Sequence, residues 1–517
     1  MRKHAAGSFS VTVPAPPLSR YRFRLDGDGP FPDPWSHWQP DGVHGASALL
    51  PPRSRPPSHR PVPRGRAQTT YELHIGTFTE RGTYLAAAAR MRELRRLGVD
   101  TVQLMPLAEF PGGRNWGYDG AYLYAPTRAY GTPNDLAKLV DAAHRAGLAI
   151  ILDAVYNHFG PDGAYIHRFA PEFFSDRHRT PWGPAIDYSV PEIRSTVTDS
   201  ARWWVSRHGF DGFRLDAVNT IVDDQRPHLL QEIVQAARRG YEKAYVAVED
   251  SRNYAPVVTR DRVDAVLSED FSYTVRARLA GERVWHLGGF EGSLAELATE
   301  INTGWLRTTP PPLTLPQTSF VFFFDNHDQV GHRSDGARLA MLTRPQLYRA
   351  VSTLLLTLPQ RVLLFMGQET AAESVFHFFT DHKPELGRAV AEGRRRELGR
   401  QIPDPQDPLT FARSKLQRRS PSARWCGALY RDLLWLRAHD PVLSRPDGAR
   451  CEAWVAGEIL YVERRASGKR RLLAVTLSGD PGRELPDAEL LFNSEARRYA
   501  GDGRLTLARP AAVLLTP

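Results

Sequence analysis

The run GFDGFRLDAV, residues 209–218, places Asp216, and Arg214 two residues before it, inside a largely apolar stretch. A carboxylate in such company is costly unless it is paired, hydrogen-bonded or exposed at an edge. The run therefore reads as a buried strand whose far end opens onto a polar cleft. Outward from it, similar short apolar runs alternate with helical stretches. YELHIGTF (71–78), DTVQLMPL (100–107), LAIILDAVYNH (148–158), AYVAVED (244–250), VDAVLSED (263–270), SFVFFFDNHD (319–328) and RVLLFMGQE (361–369) complete a set of eight strand-like runs with the opening one. YLAAAARMRELRRLG (84–98), DLAKLVDAAHRAG (135–147), EIRSTVTDSARWWVSRHG (192–209) and HLLQEIVQAARRG (228–240) are helical between them. Continuous apolar runs suit parallel strands buried on both faces. The expected class is α/β, a (β/α)8 barrel with long insertions; a doubly wound open sheet is the alternative.

The barrel is preferred because of where the polar residues fall. Asn157 and His158, Arg214 and Asp216, Glu249 and Asp250, Glu269 and Asp270, and Asp325 through Asp328 all stand at strand ends, and the C-terminal strand ends of such a barrel form its active face. Asp216 and Glu249 are the sharpest pair. They end consecutive strands, and strands lie about 4.8 Å apart. Their carboxyls are thus expected near the ~5–5.5 Å gap of a retaining glycosidase, one attacking the anomeric carbon and the other protonating the leaving oxygen. Arg214 shares a face with Asp216 by the period-two rule and would keep it ionised. Any one such acid is as readily a helix cap or an ion-pair partner. The same cluster also admits a divalent metal, but the first strand offers only His74 and no paired histidines. Aromatics in RNWGYDGAYLYAP (114–126) and TPWGPAIDY (180–188) include Trp116, Tyr118, Tyr122, Tyr124, Trp182 and Tyr188. They are candidates for stacking on sugar rings or for packing the insertions.

Composition bounds the rest. The 517 residues are 42% hydrophobic and carry a formal net charge of +9. That balance raises nucleic acid as a partner, but the basic residues are scattered among acids and no nucleic-acid motif is present. Two cysteines, Cys426 and Cys451, make neither a disulfide framework nor a metal motif, and read as free buried thiols of a cytoplasmic protein. The start lacks an apolar core of signal-peptide length. Pro359, Gln360 and Arg361 break the most apolar stretch, 350–367, into two buried elements rather than a membrane span. Three regions are expected: residues 1–67, a partial N-terminal β domain with a Pro/Arg-rich linker at 49–66; residues 68–441, the catalytic barrel; and residues 442–517, a C-terminal antiparallel β-sandwich.

The motifs DAVYNH, GFRLDAV, VAVED and DNHD, in this order and at strand ends, resemble the four short regions of the α-amylase superfamily of glycoside hydrolases. The resemblance covers roughly residues 70–517. A finer resemblance, carried by YELHIGTFTERGTY, LMPLAEFPGGRNWGYDG, TPWGPAIDYS, NHDQVGHR, FFTDHKPELGRAVAEGRRREL, IPDPQDPLTFARSKL and DPWSHWQPDGVHGAS (33–47), is to the malto-oligosyltrehalose trehalohydrolase family. It implies Asp216 as nucleophile, Glu249 as general acid/base and Asp328 as a third carboxylate gripping sugar hydroxyls. It implies His158, Arg214 and His327 around that sugar, Tyr118 as its stacking platform, and Trp116 and Asp119 as further substrate-binding residues. The implied reaction is hydrolysis of the α-1,4 bond that joins trehalose to a maltooligosaccharide, with no organic cofactor and no catalytic metal, after a maltooligosyl trehalose synthase. The alternatives are a glucan branching enzyme or another α-glucan hydrolase or transferase, and an inactive glucan-binding protein. The chain departs from the family's pattern in EDSRN (249–253), at Gln368 in the loop 368–374, at His332 where asparagine is expected, and in a shorter N-terminal β domain. A structural calcium near Asn157 stays open.

Overall fold

The computed structural model describes residues 1–3, 9–50, 60–61, 68–180, 182–282, 289–306, 315–399, 401–445, 450–480, 484–485 and 487–517. All eight expected runs are strands: β1 (Thr69–Leu73), β2 (Thr101–Leu104), β3 (Ala149–Ala154), β4 (Gly212–Leu215), β5 (Tyr245–Val248), β6 (Ala265–Leu267), β7 (Phe320–Phe322) and β8 (Arg361–Phe365). They pair parallel, each with its neighbour in sequence, and β8 closes on β1. The open-sheet alternative is excluded by that closure.

Two apolar clusters show how the barrel is held. Ile151, Tyr245, Ala247, Ala265, Leu267, Val321, Phe323 and Leu363 are buried as a separate group. They follow one parity of the strands, the side that faces the axis. The other parity, with Val246, Val248, Phe320, Phe322 and Leu364, joins the large cluster under the helices. Those helices are α1 (Met91–Leu97), α2 (Pro133–Ala146), α3 (Pro191–Trp203), α4 (Leu229–Gly240), α5 (Glu269–Ala280), α6 (Leu294–Thr303), α7 (Pro345–Thr357), α8 (Pro384–Leu398) and α9 (Ala423–His439). The stretch 350–367 divides as expected into the end of α7 and strand β8, with Pro359 between them. The opening run needs Gly212: its φ is +153°, and a Cβ there would stand 1.8 Å from the Tyr245 carbonyl oxygen. Only glycine lets β4 approach β5 so closely.

Five further strands, β9 (Arg450–Ala456), β10 (Ile459–Ala466), β11 (Lys469–Thr476), β12 (Glu489–Asn493) and β13 (Ala511–Thr516), form an antiparallel C-terminal sheet in the order β9-β10-β11-β13-β12. Helices α6 and α7 pack on it. The buried Arg349–Glu495 pair, at 2.8 and 2.5 Å, ties α7 to the segment between β12 and β13. The N-terminal residues contribute short antiparallel pairs, Arg20–Tyr21 with Ser47–Ala48 and Phe23–Leu25 with Asp28–Phe31. Trp35 anchors this region by edge contacts to Phe169 and Phe173. Most of the proline-rich stretch 49–66 lies outside the described residues. Cys426 is buried and Cys451 partly so, and both are free. Among the described residues no helix is long and apolar enough to cross a membrane.

Candidate active site

Strand register brings the central residues together. In β3–β4, Asp153 lies opposite Arg214; in β4–β5, Leu215 lies opposite Val248. The next residues, Asp216 and Glu249, therefore leave the barrel side by side. By parity, Asp153 is in phase with Ile151, and Glu249 with Tyr245 and Ala247, so each points into the barrel mouth. Arg214 is almost fully buried and sits between all three carboxylates. Its Nη1 donates to Asp153 at 2.8 and 2.9 Å and to Asp216 Oδ1 at 2.7 Å, and its Nη2 donates to Glu249 Oε2 at 2.5 Å. The Ala217 amide also donates to that Glu249 oxygen, at 3.2 Å.

On the opposite wall, the one-turn helix His327–Gly331 follows β7. Glu72, from β1, accepts from the His327 backbone amide at 2.9 Å and from its Nδ1 at 2.8 Å; Gln103, from β2, donates to the same carboxylate at 3.0 Å. His327 Nε2 stands 2.7 Å from the Tyr118 hydroxyl and 3.2 Å from Asp328 Oδ2. Tyr118 closes the circuit by donating to Asp153 at 2.8 Å. One hydrogen-bonded network thus links Tyr118, Asp153, Arg214, Asp216, Glu249, His327 and Asp328.

Three carboxylates around one guanidinium do not all ionise freely. Burial pushes Glu249 well above the usual carboxylate range; Arg214 opposes this, and the negative Asp216, Asp328 and Glu269 add to it. Burial likewise pushes Asp153 up to about 7, with Arg214 opposing and Asp216 reinforcing. Glu269, the first residue of α5, is pushed up to about 7 by burial and by Asp328. Asp328 goes the other way. Burial works against its charge, but the His327 cation and hydrogen bonds from His327 and His332 outweigh that and hold it well below the usual range. The mouth therefore carries acids that hold their protons, Glu249 foremost, beside one that gives its proton up, Asp328, from environment alone.

The remaining residues expected at the site have mixed placements. His158, after β3, lies between the Asn157 side chain and the Tyr118 carbonyl, at 3.0 Å from each, and burial lowers its pKa. Asn157 in turn reaches Asp216 at 3.4 Å. Trp182 is 42% exposed and stacks on His158 at 4.1 Å and 5°. Tyr118 stacks on His327 at 5.2 Å. Trp116 is 2% exposed and packs behind the site against Phe376, His327 and His332. Asp119 is engaged by Asn115 at 2.5 Å and His382 at 3.3 Å, within the loops. Tyr122, Tyr124 and Tyr188 are buried. Sequence reasoning passed over Glu72 and Asp153. The available signal was an acid in the interior of an apolar strand, TTYEL and AIILDA, in phase with inward positions.

With this geometry in hand, similarity to known proteins is informative. A family model of the alpha amylase catalytic domain matches residues 76–182. The malto-oligosyltrehalose trehalohydrolase of Deinococcus radiodurans is 38% identical, spanning 100% of this chain and 90% of its own. That of Saccharolobus solfataricus is 36% identical over 80% of this chain and 77% of its own. The crystal structure of a Salmonella typhimurium protein provisionally described as an alpha amylase superposes with a TM-score of 0.88 at 34% identity, covering 97% of this chain and 91% of that one. The chain belongs to the malto-oligosyltrehalose trehalohydrolase family, built on the alpha amylase catalytic barrel.

Proposed function

We propose that this chain is a retaining glycoside hydrolase that cuts the α-1,4 bond between trehalose and a maltooligosaccharide. The observation that carries the reading is the shared guanidinium. Asp216 and Glu249, at adjacent strand ends, both accept from Arg214, which draws the two carboxyls to one guanidinium, as a retaining pair ~5–5.5 Å apart requires. The trehalohydrolase relatives support the substrate.

In this reading Asp216 attacks the anomeric carbon of the maltooligosyl unit. The C1–O bond breaks, and protonated Glu249 delivers its proton to the leaving oxygen, which departs as trehalose. Glu249, now a carboxylate, takes a proton from water as that water attacks the glycosyl ester, and the maltooligosaccharide leaves with Asp216 restored. Arg214 donates to the nucleophile at 2.7 Å and orients it. Asp328, held ionised by its two imidazoles, accepts hydrogen bonds from sugar hydroxyls. Trp182, over His158, offers an open indole face for a glucose ring.

The experiment is product analysis with maltotriosyl trehalose, with maltopentaose as control. Free trehalose and maltotriose from the first, with little cleavage of the second, are expected. Equal cleavage of both, or longer and branched products, moves the chain to a general amylase or transferase.

The electrostatics also set the pH response. Glu249 must hold a proton when the bond breaks, and its raised pKa keeps that proton on above the ordinary glutamate range. Loss of it forms the alkaline limb; protonation of Asp328, which its imidazole neighbours hold well below the usual carboxylate range, forms the acidic limb. A bell-shaped kcat/KM profile with its optimum on the acidic side of neutral is expected. A profile flat from about pH 4 to 9 with the fold intact would remove Glu249 from the acid role.

A further inference from the structure

Asp328 lies between two imidazoles that are held in different ways. His327 Nε2 approaches Oδ2 at 3.2 Å, and His332 Nε2 approaches Oδ1 at the same distance. Behind His327 stands a carboxylate, Glu72, which can only accept, so Nδ1 carries a hydrogen. Behind His332 stands the reverse. Nη1 of Arg394, from α8, lies 2.9 Å from His332 Nδ1. A guanidinium has five donors and no acceptor, so Nδ1 presents its lone pair and the ring hydrogen is on Nε2, directed at Asp328.

Arg394 is itself well anchored. Its Nη2 donates to the Gly331 carbonyl at 3.2 Å, its Nη1 also donates to Glu397 at 2.9 Å, and its plane covers Phe378 at 5.0 Å. Helix α8 begins at Pro384, far along the chain from the 327–331 turn. The contact therefore fastens a distant helix to the turn that carries Asp328.

We propose that His332 and Arg394 are positioning residues for Asp328: Arg394 fixes the His332 hydrogen on Nε2, and that hydrogen sets the orientation of the Asp328 carboxylate. This rests on the hydrolase reading above. A carboxylate held only by His327 is free to turn about its Cβ–Cγ bond. Held from both sides, it keeps one face towards the cleft, as a group that must meet sugar hydroxyls in a transition state requires.

The test uses the full chain and maltotriosyl trehalose. His332→Phe keeps the ring's shape and removes the donor; it is expected to lower kcat and kcat/KM together by about 10- to 100-fold. His332→Gln carries an amide N–H to the same point and is expected to recover most of that loss. Arg394→Met alone is expected to lower kcat/KM, and made in the His332→Phe background to add less than about twofold, because both act through one carboxylate. Wild-type kcat/KM in His332→Phe, a glutamine variant no better than phenylalanine, or fully additive losses would each overturn the proposal. Ring nitrogen shifts of histidine-labelled wild-type protein give a readout without turnover: protonated Nε2 at His332 supports the proposal and protonated Nδ1 sinks it. A wild type that releases no trehalose overturns the hydrolase reading instead, and the nitrogen shifts still decide this one.

Discussion

Glu249→Gln is expected to lower kcat on maltotriosyl trehalose by about 10²- to 10⁴-fold, the range for loss of a general acid, while glucan binding stays near wild type. Glutamine has the same shape, and its amide oxygen can still accept from Arg214 Nη2 and the Ala217 amide, the two donors that hold Glu249 now. What it lacks is a transferable proton. A glycosyl fluoride, whose leaving group departs without protonation, separates the two effects. With that substrate the formation of the glycosyl-enzyme should recover, and only the water step should stay slow. Full activity of Glu249→Gln on the natural linkage would assign the proton to another group, with Glu269, pushed up to about 7, as the next candidate. An equal loss in the rate of glycosyl-enzyme formation on both substrates would mean that the substitution had disturbed Asp216 instead.

Arg214→Met removes the cation that Asp153, Asp216 and Glu249 share. Asp153 has no exposed side-chain surface, and breaking a buried pair from one side costs about 3–5 kcal/mol. The variant is expected to be destabilised by that order at pH 8, and inactive. The deficit should shrink as pH falls. Without its partner, Asp153 rises above its present value of about 7, so the folded variant binds protons that the unfolded chain, with ordinary carboxylates, has already released. Stability then falls with rising pH between the two values. Denaturant unfolding at pH 5 and pH 8 measures this. Equal midpoints for variant and wild type at pH 8 would show that Arg214 is not the counter-charge of the cluster.

The barrel was legible because parallel strands buried on both faces leave continuous apolar runs, and because a residue count of 33 separates Asp216 from Glu249, one strand-to-strand repeat. The strand-end acids were legible for the same reason: polar residues accumulate where strands meet solvent. Glu72 and Asp153 were missed although each lies in phase with the inward positions. An acid inside a strand reads as an anomaly until its partner is known, and those partners are remote. Glu72 meets His327 across 255 residues, and Asp153 meets Arg214 across 61. The aromatics divided in a way that residue type does not predict. Trp182 is open over His158, while Trp116, expected at the substrate, is buried behind His327.

The sequence by itself determined the class of fold, the order of the strands and which of them carry carboxylates. Those follow from local periodicity, which is written residue by residue. The tertiary structure alone decided how charge is shared. It set three acids on one arginine, gave Asp328 its two imidazoles and drew Arg394 to His332. Closing the barrel brings β8 to β1 and turns eight separate strand ends into one ring. Coulombic and desolvation energies depend on the separation and burial so created, not on distance along the chain.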